Sequence, residues 1–151
     1  MDANSELGDL YQELILDHHK RPRNFGSLAG ANHHAEGKNP LCGDQLEIDV
    51  QVNGNQIVDL KFHGSGCAIS TAAASMMTEA VKGKSLSDAE SLFQQYHAVV
   101  TGTQEADTEA LGKLSVFAAM SEFPMRVKCA TLAWHTLHAA LEGAGTTVTT
   151  E

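Results

Sequence analysis

The sequence predicts an α+β fold in which a small antiparallel β-sheet packs against about five helices. Three observations carry this. Two stretches near the middle of the chain alternate apolar and polar residues with period two. An Asn-Gly-Asn turn joins them. Segments with apolar residues every three or four positions lie on either side.

The alternating stretches are residues 46–52 and 56–63. In the first, Leu46, Ile48, Val50 and Val52 face one way and Glu47, Asp49 and Gln51 the other. In the second, Val58, Leu60 and Phe62 oppose Asp59 and Lys61. The apolar faces must coincide, because a one-residue slip would put one set in water. Pairing Val50 with Val58, Ile48 with Leu60 and Leu46 with Phe62 achieves this, and leaves a three-residue turn at Asn53-Gly54-Asn55. Continued past the strand ends, that register sets Asp44 opposite Gly64 and Cys42 near Gly66. Cys42, Asp44 and Cys67 then meet at the end of the sheet away from the turn.

Leu7, Leu10, Tyr11, Leu14, Ile15 and His18 recur at helical spacing, which predicts an amphipathic helix over about residues 6–19, with Ser5 as N-cap and Pro22 as terminator. Residues 21–41 read as a loop with one short edge strand. A helix over about 67–82 presents Ile69, Ala72, Ala73, Met76, Ala80 and Val81 and stops at Gly83. Ser87 and Glu90 suggest a capping box for a helix near 88–99. Residues 101–107 are loop-like. Leu111, Leu114, Phe117, Ala118 and Ser121 suggest a helix of about 108–121. Pro124 opens a final helix of about 125–142, with Val127, Ala130, Trp134, Leu137 and Leu141 on one face.

The 151 residues suit one domain with its own core. A net charge of -9 disfavours nucleic-acid partners. No stretch approaches the roughly 18 apolar residues of a membrane span, and the polar start does not read as a secretory signal. Three well-separated cysteines do not make a disulfide framework, which points to reduced thiols and a cytoplasmic setting.

In Cys42-Gly43-Asp44, Gly43 lets a thiolate and a carboxylate face one centre, and both suit a divalent cation such as zinc; Asp after Gly is equally ordinary turn chemistry. Cys67 follows Gly64-Ser65-Gly66 and opens a long helix, where free N–H groups and the helix dipole favour a thiolate; simple packing at a helix start is the alternative. Cys129 stands near Lys128 and Arg126, whose charge has the same effect, yet a cysteine in an Ala/Leu-rich helix also serves as core. Sequence spacing does not bring Cys129 to the hairpin end. His18 and His19 suit the dipole at the end of the first helix as imidazolium. No histidine pair forms a local zinc motif. His63, which ends the hairpin nearest the cysteines, is the one imidazole expected beside the site.

These residues resemble the SufU branch of the IscU/NifU N-terminal family over most of the chain. Asp17-His18 with Lys20-Arg21-Pro22-Arg23-Asn24 is similar to the family's opening. Three ligand motifs follow in order. They are Asn39-Pro40-Leu41-Cys42-Gly43-Asp44, then Phe62-His63-Gly64-Ser65-Gly66-Cys67-Ala68-Ile69-Ser70, then Arg126-Val127-Lys128-Cys129-Ala130-Thr131-Leu132-Ala133-Trp134. Two features depart from the IscU scaffold branch. Lys128 stands where that branch has His, and Glu122-Phe123-Pro124-Met125-Arg126-Val127-Lys128 replaces its Leu-Pro-Pro-Val-Lys chaperone motif. About residues 84–107 are similar to the insertion typical of SufU.

The resemblance implies one zinc ion on Cys42, Asp44, Cys67 and Cys129. It implies a zinc-dependent sulfurtransferase that docks on a SufS-type cysteine desulfurase. Cys42 would accept the sulfane sulfur as a persulfide and pass it to a downstream iron–sulfur scaffold. Arg126 reads as orienting the incoming sulfur or holding the interface, and equally as an exposed basic residue early in a helix. The alternative it implies is an IscU-type scaffold that assembles a [2Fe–2S] cluster on the same residues.

Overall fold

The structure, a computed structural model, describes residues 3–105, 107–143 and 147–149, with the side chains of 3–11, 108 and 147 left aside. The elements in chain order are α1 (Ala3–Lys20), β1 (His33–Asn39), β2 (Asp44–Asn53), β3 (Gln56–Ser65), α2 (Ala68–Val81), α3 (Leu86–Val100) and α4 (Thr108–Leu111). A 3₁₀ segment (Gly112–Glu122), α5 (Pro124–Leu141) and β4 (Thr147–Thr149) complete the chain. The fold is α+β, as expected. The expected Ser5 cap and the apolar positions Leu7, Leu10 and Tyr11 lie outside the described side chains. No described helix is long and apolar enough to cross a membrane.

The sheet order is β3-β2-β1-β4. Strands β1, β2 and β3 pair antiparallel, but β4 runs parallel to β1, so the sheet is mixed rather than purely antiparallel. Strand β1 is therefore interior, not the short edge strand expected within residues 21–41. The free edge of β3 is covered by the loop after α1: Gly26 N–H donates to the Phe62 carbonyl at 2.8 Å, and Phe62 N–H to the Asn24 carbonyl at 3.0 Å.

The hairpin lies where the alternation predicts, but its register differs by two residues. Val50 pairs with Leu60, Ile48 with Phe62 and Leu46 with Gly64. A two-residue shift keeps every side chain on its face, so the apolar pattern is blind to it. A bulge after Gln51 then brings Val52 opposite Ile57 and closes a two-residue turn at Gly54-Asn55, with Gly54 at φ 62. Val58 is the extra residue of the bulge. It is 44% exposed, and Ile57 is buried in its place. Burying an isoleucine stabilises by roughly 1.5–3 kcal/mol, against about 0.5–1.5 kcal/mol for one lost ladder hydrogen bond, so the bulge is favoured.

Helix α2 is buried on nearly all sides by Ala72, Ala73, Ala74, Met76 and Met77. Helix α3 starts at Ser85 rather than at a box on Ser87: Ser85 Oγ accepts from Asp88 N–H at 3.1 Å. Residues 112–122 are not α-helix. Gly112, at φ 55, breaks the short α4, and the chain continues as 3₁₀. Leu111, Leu114, Phe117 and Met120 recur every three residues and are all buried, which matches three residues per turn. Helix α5 packs on β1 and β2. Tyr96 stacks on Trp134 at 4.8 Å and donates to the Ala130 carbonyl at 2.7 Å, which locks α3 to α5. A side chain at Gly37 would run into Thr136 of α5, so this glycine sets the close approach of β1 and α5.

His18 is not an exposed imidazolium on the helix dipole. It is 1% exposed, bonded to Ser75 Oγ at 2.7 Å, and its pKa lies below the ordinary histidine value because of burial and the charge of Arg23. The unfolded imidazole thus takes up its proton at higher pH than the folded one. Its contribution is complete above about pH 6.5 and declines as pH falls through the window below. Urea midpoints between about pH 7 and pH 5 should fall less steeply in His18→Gln than in the parent chain. Equal slopes would contradict this account.

Candidate metal centre

Four elements meet at one end of the sheet. The β1–β2 turn, residues 40–43, carries Cys42, whose N–H donates to the Asn39 carbonyl at 3.2 Å. Asp44 opens β2 on the inner face shared with Leu46 and is 1% exposed. Cys67 is the N-cap of α2. Cys129 lies in the second turn of α5 and is buried.

The glycines of Gly64-Ser65-Gly66 allow this approach. A side chain at Gly64 would run into the Gln45 backbone, and a Cβ at Gly66 would sit 2.7 Å from Asp44 Oδ1. With glycine there, Asp44 Oδ1 accepts the Cys67 N–H at 2.8 Å, and Oδ2 lies 3.8 Å from Cys67 Sγ. Ser70 N–H points at Cys67 Sγ at 3.4 Å.

Cys42 and Cys129 approach with sulfurs 3.3 Å apart as free thiols. Ligand atoms of Cys42, Asp44 and Cys129 all lie within 4.8 Å of one another. Cys67 stands beside this trio on the carboxylate side. Two thiolates on one tetrahedral zinc, with bonds of about 2.3 Å, stand roughly 3.8 Å apart, so the spacing suits one ion. The donors, three sulfurs and one carboxylate oxygen, are those zinc favours.

The thiols do not ionise alike. Cys67 is brought down to about 7, first by its hydrogen bond with Cys129 and then by the N–H groups of Ser70 and Ile69. Cys129 is pushed far up, by Cys67 first, then by burial and by Cys42, with the charges of Cys67 and Asp44 adding to it. The protein alone holds one thiolate here far more readily than several. A divalent cation would relieve that repulsion.

Arg126 does not reach the cluster among the described contacts. It is exposed, with its guanidinium 4.6 Å over the Phe123 ring. His63 is not beside the site either. It points to the outer face of the sheet, where Nε2 is 3.4 Å from Glu47 Oε2. Asn39, which opens the first ligand motif, is the residue whose role motif reading did not assign. It is fully buried, its Nδ2 points at Cys129 Sγ from 3.9 Å, and its Oδ1 has no partner among the described residues. Its position three residues before Cys42, at the head of that motif, was the available signal.

Residues 10–142 match the model of the NifU-like N-terminal domain. The zinc-dependent sulfurtransferase SufU of Bacillus subtilis (strain 168) is 40% identical over 137 residues, covering 91% of this chain and 92% of that protein. The iron–sulfur cluster assembly scaffold protein IscU of Streptococcus pyogenes serotype M1 is also 40% identical, over 140 residues, covering 93% of this chain and 87% of that protein. A crystal structure assigned as the iron–sulfur cluster assembly scaffold for the SUF system of Fervidobacterium islandicum AW-1 superposes with a TM-score of 0.82 at 38% identity. It covers 88% of this chain and 97% of that one. The chain therefore belongs to the family of NifU-like N-terminal domains.

Proposed function

We propose that this chain is a sulfur-relay protein of iron–sulfur cluster assembly, with one zinc on Cys42, Asp44, Cys67 and Cys129, working beside a cysteine desulfurase of the SufS type. The observation that carries the reading is the convergence of Cys42, Asp44 and Cys129 within 4.8 Å, with Cys67 held against Asp44. The 40% identity to a zinc-dependent sulfurtransferase supports it. Zinc, when bound, holds thiolates together without redox chemistry of its own.

Cys42 is the acceptor. Cys67 and Cys129 are anchored in helices, whereas Cys42 sits on a turn beside Gly43, which is at φ 72 with open space around it. It can swing out at the lowest structural cost. Its thiolate attacks the terminal sulfur of the desulfurase persulfide. The persulfide S–S bond breaks, a new S–S bond forms on Cys42, and the partner cysteine leaves as a thiolate, with no net oxidation. Asn39 and the Cys67 N–H keep Cys129 and Asp44 in place meanwhile. Leu41, Phe123 and Met125 are large, apolar and 45–58% exposed on the segments that carry Cys42 and Cys129. They offer the partner a docking rim, with Arg126 on Phe123.

A second reading, a [2Fe–2S] scaffold on the same donors, is favoured by the equal identity to the streptococcal scaffold protein. Lys128 in place of an imidazole donor weighs against it. Anaerobic titration with iron and sulfide separates them: a stoichiometric, transferable cluster supports the scaffold, and zinc retention without a cluster supports the relay.

Protein purified without added metal should contain about one zinc per chain. Chelation should lower its melting temperature by on the order of 5–10 °C, because metal binding free energy is folding free energy. Cys42→Ser should keep the far-ultraviolet circular dichroism of the parent and lose at least about tenfold in desulfurase-coupled sulfide release, since only the attacking sulfur is gone. Unfolding of that variant would indicate a purely structural site instead.

A further inference from the structure

The outward face of the sheet carries a second group of metal-ligating side chains, on the side opposite Asp44 and the thiols. Its layout follows from the ladder. His34 pairs with Asp49, and Glu36 with Glu47, which in turn pairs with His63. Two glutamates directly opposite each other repel, at a cost of up to about 1 kcal/mol unless something positive stands between them.

His34 is held ready to meet such a cation. Its Nδ1 is 2.6 Å from Asp49 Oδ1, and the other Asp49 oxygen accepts the Leu28 N–H at 3.1 Å. A carboxylate on Nδ1 favours the tautomer with its proton there, so that a cation at Nε2 would displace only a proton facing Glu47. That Nε2 lies 3.5 Å from Glu47 Oε1. Ligand atoms of His34, Glu36 and Glu47 all fall within 4.8 Å of one another. A shallow groove lined by Glu36, Lys38, Gln45, Glu47, His63 and Ser65 adjoins them.

We propose that His34, Glu36 and Glu47 form a second divalent-metal site on the outer face of the sheet, separate from the thiol centre. One imidazole and two carboxylates on adjacent strands suit a divalent ion of borderline character such as zinc rather than a soft monovalent one, and water fills the open positions. Asp49 is a positioning residue that holds the His34 tautomer. His63, 3.4 Å from Glu47 Oε2, flanks the site through that glutamate.

The test is zinc chloride titrated into the full chain carrying ¹⁵N-labelled histidine, with imidazole resonances as the readout. This reports on the outer face whether or not the thiols bind metal. His34 Nε2 should shift with saturable dependence on zinc. Glu36→Gln and Glu47→Gln should each weaken that dependence at least about tenfold, and Asp49→Asn by about 10–100-fold with the fold intact by circular dichroism. Cys42→Ser should leave it unchanged. Absence of a saturable His34 shift, or a shift that survives in the Glu36→Gln/Glu47→Gln double variant, would overturn the proposal.

Discussion

The hydrogen bond from the Cys67 N–H to the Asp44 carboxylate ties the start of β2 to the start of α2. The rest of the centre depends on it. It holds a buried carboxylate in one orientation, fixes where the helix begins, and leaves the second carboxylate oxygen facing the Cys67 sulfur. It exists because position 66 is glycine: a Cβ there would occupy the space of Oδ1. A buried carboxylate without such a donor would carry the full desolvation cost of its charge.

Around that bond the sulfurs form a set that is electrostatically incomplete. Three thiols and a carboxylate share a small volume, and the ionisation of Cys67 opposes that of Cys129. N–H groups of Ser70 and Asn39 point at sulfur, which suits thiolate acceptors. A divalent cation would supply what those donors cannot. The turn carrying Cys42 is the loosest of the supports, so the same architecture that gathers the ligands also leaves one of them able to move.

The period-two geometry of β2 separates two chemistries. Asp44 and Leu46 face the helices, and Glu47 and Asp49 face outward. One strand thereby presents a carboxylate to the thiols and others to the histidines of the open face. The sheet between them keeps the two groups apart although they are close in sequence.

Much of the local structure was legible in the residues themselves. The hairpin, the helix beginning at Cys67 and the final helix after Pro124 follow from periodicity and caps, because those forces act within a few residues. The hairpin also sufficed to bring Cys42, Asp44 and Cys67 to one sheet end, since its direction matters there more than its register. The register was not legible, because a shift of two leaves both faces intact and only the burial of Ile57 chooses between them. The spacing of three from Leu111 to Met120 was present in the sequence but also fits a helix face, and Gly112 decided it. The burial of His18, the outward turn of His63 and the exposure of Arg126 depend on which neighbours each element meets. Above all, the arrival of Cys129 beside Cys42 was decided by α5 packing across β1 and β2 at the close approach that Gly37 permits. That contact joins residues far apart in the chain, and only the packed core specifies it.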